Sequence, residues 1–155
     1  MEHYTEFLPI SRADMEARGW DQLDFVVVGG DAYVDHPSFG TAIISRLLEA
    51  EGYKVGVLAQ PRYTDCEDFK RFGKPKYGFF IGGGNVDSMV SHYSVAKIPR
   101  AEDEYSPGGK GGARPDRSAT VYTRLAKQAY PDLPVILGGL EASLLTDIIH
   151  DILHL

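Results

Sequence analysis

The densest chemistry in the chain follows its first apolar run: Asp31, Ala32, Tyr33, Val34, Asp35, His36, Pro37, Ser38, Phe39 and Gly40. Asp31, Asp35 and His36 stand just ahead of a helix predicted to open at Pro37 and Ser38. Carboxylates, an imidazole and a helix N-terminus together can hold an anion, a hydroxyl-bearing molecule or a metal. The same residues also read as a loop oriented by His36 and a helix capped by Asp35. A second set is made of glycine: Gly29-Gly30, Gly82-Gly83-Gly84 and Gly138-Gly139 each close a predicted strand, with Glu141 after the last pair. Glycine at a strand end lets backbone N–H groups approach a ligand and permits a left-handed turn. In open α/β sheets ligands bind outside the carboxyl ends of the strands, where strand order reverses. Asp31, Asp35, His36, Ser38, the seven glycines and Glu141 therefore form a candidate binding rim for an unidentified small molecule. Each glycine pair taken alone is also explained by a tight strand-to-helix turn.

Other chemistries are excluded. Gly29-Gly30-Asp31-Ala32-Tyr33 lacks the third glycine of a dinucleotide fingerprint, and Lys110 is followed by Gly111, so no P-loop is present. Cys66 is the single cysteine. One thiol makes no disulfide and no cysteine-based zinc or iron–sulfur site, so no metal ligands are assigned. The acidic neighbours Asp65, Glu67 and Asp68 are also wrong for a reactive thiolate. His92 follows Met89 and Val90 on what reads as a packed helix. Trp20 and Tyr122 read as core anchors rather than stacking platforms. No catalytic residue is assigned.

The elements that must position these residues follow from pattern. Ser11 is an N-cap with Asp14 reaching back, and Gly19 ends a lead-in helix within residues 1–20. Phe25 to Val28 is an apolar run without alternation, as in a parallel strand buried on both faces, and Tyr53 to Ala59, Tyr77 to Ile81 and Leu133 to Leu137 read as three further strands. Between them lie a helix ending at Gly52 with Ile43, Ile44, Leu47 and Leu48 on one stripe, a short charged helix over 64–72, a long Pro- and Gly-rich loop over 98–113, and a helix over 114–130. Residues 141–155 form a C-terminal amphipathic helix by their spacing. The pattern predicts one open, mostly parallel Rossmann-like α/β sheet of about four strands, with helices on both faces.

Composition agrees with one globular domain: 155 residues, 43% hydrophobic and 25% charged. The net charge of −6 argues against a general nucleic-acid binder. Lys110, Arg114 and Arg117 are offset by nearby acids and read as a solvated loop. No apolar run is long enough to span a bilayer, and no signal peptide is read, so the expected location is cytoplasmic.

Several strings resemble the N-terminal region of YgiQ-type radical SAM proteins: Phe7 to Arg12, Gly30 to Gly40, Asn85 to Val90, Ser106 to Lys110, Arg114 to Arg117 and Gly138 to Leu144. That resemblance implies a domain related to the cobalamin-binding domains that precede many radical SAM barrels. It also implies, for the full-length family, a barrel in cis carrying a Cys-x3-Cys-x2-Cys motif, a 4Fe–4S cluster and S-adenosylmethionine. The motif is missing here, so the chain is expected to be a truncated accessory piece, not catalytic alone, departing from the family after Leu144. Asp35 and His36 are adjacent, which breaks the Asp-x-His-x-x-Gly signature of a cobalamin lower ligand and counts against cobalamin. The alternatives are a self-standing small-molecule or flavodoxin-like binding module, and a purely structural domain.

Overall fold

A computed structural model of the chain describes residues 7–144. Four parallel strands, β1 (Phe25–Gly29), β2 (Val55–Ala59), β3 (Gly78–Gly82) and β4 (Val135–Gly138), lie in the order β2-β1-β3-β4. The helices are α1 (Arg12–Ala17), α2 (Gly40–Ala50), α3 (Ser88–His92) and α4 (Ser118–Ala129). Residues 140–144 open a further helix. The remainder of the predicted C-terminal helix lies outside the described residues.

Alternation along the strands sorts the side chains onto two faces. Val26, Val28, Leu58, Phe79 and Ile81 point to one of them. They pack with Met15 of α1, Phe69 and Phe72, and Tyr122, Leu125 and Ala126 of α4 in one buried cluster. On the other face lie Val27, Val55 and Val57, all buried. There α2 comes so close at Gly29 that a side chain on this glycine would meet Thr41. Tyr122 is wholly buried and Trp20 packs against the same cluster, as core anchors should.

The lead-in helix forms as its sequence prescribes. Ser11 accepts from the Asp14 N–H, and Asp14 accepts from the Ser11 N–H at 2.9 Å. Gly19 ends the helix with φ +70°.

Elsewhere local polar groups redraw the boundaries. Helix α2 starts at Gly40, with Phe39 at the N-cap and no side-chain cap. Ser38 instead gives its N–H to His36 Nδ1 at 3.1 Å, and Phe39 gives its own to the His36 carbonyl at 2.9 Å. Asp35 caps nothing: it pairs with Arg46, which also holds Glu49 at 2.6 Å. The helix expected over 64–72 shrinks to a 3-10 turn at Asp68–Lys70. There Asp65 and Asp68 take the N–H groups of Glu67 and Arg62, local bonds that compete with a helix.

The apolar stripe of α2 is also turned differently from the expectation. The helix buries its small residues Ala42 and Ser45 against the sheet. Ile43, Ile44 and Leu47 are 43%, 38% and 62% exposed. In α3, Met89 and Val90 are likewise exposed.

Candidate functional site at the carboxyl edge of the sheet

Strand order reverses between β1 and β3, since the chain steps from β1 out to β2 and then returns to the far side of β1. The carboxyl ends of these two strands therefore flank the crevice where such folds bind ligands. The three glycine segments do meet there, but they serve two different purposes.

Gly30, Gly83 and Gly84 are filled by protein. A side chain on Gly30 would fall on the Gly83 carbonyl, and one on Gly84 would fall on Asp31 and Arg114. One on Gly83 would meet the Glu141 carboxylate at 2.7 Å. These glycines let the loops after β1 and β3 touch backbone to backbone. Gly138 and Gly139, by contrast, have nothing within 4 Å of where a side chain would begin.

Two buried carboxylate nodes hold the loops. The first is centred on Arg114, only 3% exposed. Its Nη2 lies 2.8 Å from Asp31 and 3.2 Å from Asp103, and its Nη1 donates to the Gly83 and Val86 carbonyls. Asp31 also accepts from the Asn85 N–H at 2.7 Å. Burial nevertheless pushes the Asp31 carboxyl above its ordinary value, outweighing Asn85 and Arg114. Asp103 moves the other way. Burial works against its charge, but the Tyr105 N–H, the Ser106 hydroxyl and Arg114 together hold its carboxyl below the ordinary value. The solvated loop expected around Arg114 is thus corrected: this guanidinium is the bolt between the loop after β1, the loop after β3 and the approach to α4. The signal in the sequence was a cation flanked at a distance by Asp31 and Asp103, legible only once the fold brings all three together.

The second node is Glu141, 3% exposed. It accepts from the Ala119 N–H at 2.8 Å, the Ser88 N–H at 3.1 Å and the Ser118 hydroxyl at 3.2 Å. A carboxylate here meets the first turns of α3 and α4 together, where N–H groups lack helical partners and the dipole favours negative charge.

The remaining candidates separate. Asp35 and His36 lie with Ala42, Ile43, Arg46 and Leu47 beside α2, in a shallow depression apart from the crevice. His36 and Ser38 are exposed. His92 is held by Asp116, with Nδ1 at 2.6 Å from the carboxylate and the Tyr93 hydroxyl donating to the same group at 2.9 Å.

An open cleft of about 250 Å³ remains on the α2 side of the crevice. Its rim carries Asp31, the first residues of α2 (Gly40 and Thr41), Asn85, Gly82, Gly84, Gly138 and Gly139, and its floor carries Val27, Ile44, Phe80 and Ile136. A polar rim over an apolar floor suits a small molecule with one polar end. The residues present do not suit an iron–sulfur cluster. Cys66 is the single thiol, and among the described residues no three His, Cys, Asp or Glu side chains converge to hold a metal.

The radical SAM N-terminal family model matches residues 7–151 of the chain. The chain belongs to that family. A UPF0313 protein of Clostridium botulinum (strain Loch Maree / Type A3) is 60% identical over 139 residues, 90% of this chain but 22% of the relative. A UPF0313 protein of Clostridium perfringens (strain SM101 / Type A) is 55% identical over 140 residues, 90% of this chain and 21% of the relative. The chain thus corresponds to roughly a fifth of the relatives it matches, and the family match continues past Leu144 to residue 151. No solved structure matches. No helix among the described residues is long and apolar enough to cross a membrane.

Proposed function

We propose that this chain is the substrate- or ligand-presenting N-terminal domain of a radical SAM enzyme, with the chemistry carried by a cluster-bearing barrel in cis. The cleft at the β1/β3 crossover carries this reading. It is the one part of the glycine rim left unfilled, and the N-terminus of α2 faces it beside the open Gly138 and Gly139. The N–H groups in the first turn of α2 favour an anionic or nucleotide-like ligand. The cluster and S-adenosylmethionine that the family name implies then belong to the part of the longer relatives that this chain does not match.

A screen of small phosphates and nucleotides by calorimetry tests the reading, with Gly138→Val as the control. Gly138 has free space around it and ordinary strand φ, so valine should narrow the cleft and leave the fold intact. Binding that vanishes in Gly138→Val supports the assignment. No binding in the screen, or binding indifferent to the substitution, removes it.

A further inference from the structure

Asp31 has bonding capacity that the protein does not use. Its side chain is only 7% exposed, and its two carboxylate oxygens differ. Oδ2 accepts the Asn85 N–H at 2.7 Å. Oδ1 is buried and, among the described residues, accepts no hydrogen bond; Arg114 Nη2 lies 2.8 Å away without the alignment of one. A buried acceptor left unmet is costly. Gly84 leaves room beside this oxygen: a side chain there would fall on Asp31 Oδ1, and both residues line the cleft.

Charge decides which donor suits it. Asp31 and Asp103 share the Arg114 guanidinium at 2.8 and 3.2 Å. Two carboxylates against one guanidinium leave a net negative charge when both are ionised. Burial pushes the Asp31 carboxyl up by more than Asn85 and Arg114 pull it down, and Asp103 adds to the push. A cationic donor would meet both the unused acceptor and the excess charge. The opposite character faces the same space. Gly40 and Thr41, in the first turn of α2, line the cleft, and no side chain caps that turn. Such a turn suits an anion. Between the two ends Ile44, Phe80 and Ile136 give an apolar floor, suited to a short carbon skeleton.

We propose that the cleft takes a small zwitterion, with an ammonium group on Asp31 Oδ1 and a phosphate or carboxylate at the first turn of α2. This rests on the cleft being a ligand site, and narrows the ligand from an anion to one that also carries a cation.

Calorimetry on the 155-residue protein tests this with matched probes. Phosphoethanolamine and aminopropyl phosphate carry the ammonium, ethyl and propyl phosphate lack it, and glycerol phosphate carries hydroxyls instead. The two chain lengths bracket the span from α2 to Asp31. At least one aminoalkyl phosphate should bind about tenfold tighter than its alkyl counterpart, and tighter than glycerol phosphate. In Asp31→Asn the amide carbonyl takes the Asn85 N–H, so the amide nitrogen stands where Oδ1 was. That variant should keep alkyl phosphate binding and lose the ammonium preference. A second measurement needs no variant: the Asp31 carboxyl carbon signal should titrate at lower pH with the aminoalkyl phosphate bound than with the alkyl phosphate. Equal affinity within each pair, a preference for glycerol phosphate, or an ammonium preference that survives Asp31→Asn overturns the inference and leaves an anion site standing. Absence of binding by every probe removes the ligand site itself, and the inference with it.

Discussion

The Glu141 carboxylate accepts the Ala119 N–H at 2.8 Å, so the residue that follows β4 caps the helix that precedes it. The two are 22 residues apart, and the same carboxylate also takes the Ser88 N–H at the start of α3. Three elements are tied at one buried point. A group that looked from sequence like a ligand contact has its acceptor capacity occupied by the protein's own donors.

Glu141→Ala should therefore destabilise the fold rather than alter ligand affinity. It would orphan the buried N–H groups of Ala119 and Ser88, at about 1–3 kcal/mol each before relaxation, while the Ser118 hydroxyl keeps the Gly83 carbonyl as an acceptor at 3.1 Å. A loss near 3 kcal/mol corresponds to a fall in Tm of roughly 10 °C for a domain of this size. Glu141→Gln, which keeps one carbonyl acceptor, should lose about half as much. Thermal melts of the two variants check the order; equal and small losses would mean that the node does not organise α3 and α4.

Asp31 and Asp103 share the Arg114 guanidinium and should respond to pH with opposite signs. The Asp103 carboxyl is held below its ordinary 3.8. Its contribution is present above that value and is lost as pH falls through the folded value. The Asp31 carboxyl is raised above 3.8 by burial. Its contribution is full below 3.8 and is lost as pH rises through the folded value. As pH rises toward 3.8, Asp103→Asn should fall behind the unaltered protein and then hold a constant gap. As pH rises from 3.8 through the folded value of Asp31, Asp31→Asn should gain on it. Parallel shifts of the two variants in pH-dependent melts would refute the assignment of opposite directions.

How far the sequence could be read depended on whether a residue's partner was near in the chain. Ser11 and Asp14 lie three residues apart, and their capping box forms as expected. The run Phe25 to Val28 becomes a central strand because only a doubly covered sheet accepts four consecutive apolar side chains. Arg114 was misread because its partners Asp31 and Asp103 are 83 and 11 residues back in the chain. Charge balance within a loop says nothing of a distant carboxylate. The stripe Ile43, Ile44, Leu47 has the right period but the wrong target: periodicity reports a helix, not which side of it meets the sheet. Among the glycines, composition could not separate Gly83, packed on Glu141, from Gly138, beside open space.

That last distinction is directly testable. Gly83→Val must displace the Glu141 carboxylate, 2.7 Å from where its side chain would begin, and should unfold or strongly destabilise the domain. Gly138→Val meets nothing and should change stability by under about 1 kcal/mol. Circular dichroism melts decide between them. If both are tolerated, the loops after β3 and β4 are not packed on one another as described.

The final prediction concerns the cluster that the family name implies. Anaerobic reconstitution of this chain with iron and sulfide should give no stoichiometric 4Fe–4S cluster. Such a cluster needs three or four protein thiolates within one small cage, and the chain offers Cys66 alone. Cys66 is partly buried and packs against the apolar core cluster, where it behaves as a small hydrophobe rather than an exposed ligand. Among the described residues no three His, Cys, Asp or Glu side chains converge to hold a metal. Cys66→Ser should accordingly leave the low background of bound iron unchanged. The same protocol applied to a full-length relative is the comparison, because roughly four-fifths of its length lies beyond the matched segment. Iron and sulfide assays with the visible absorption spectrum read the result. A stoichiometric cluster on this chain, lost in Cys66→Ser, would show that the domain holds part of the catalytic machinery and would overturn its reading as a ligand-presenting module.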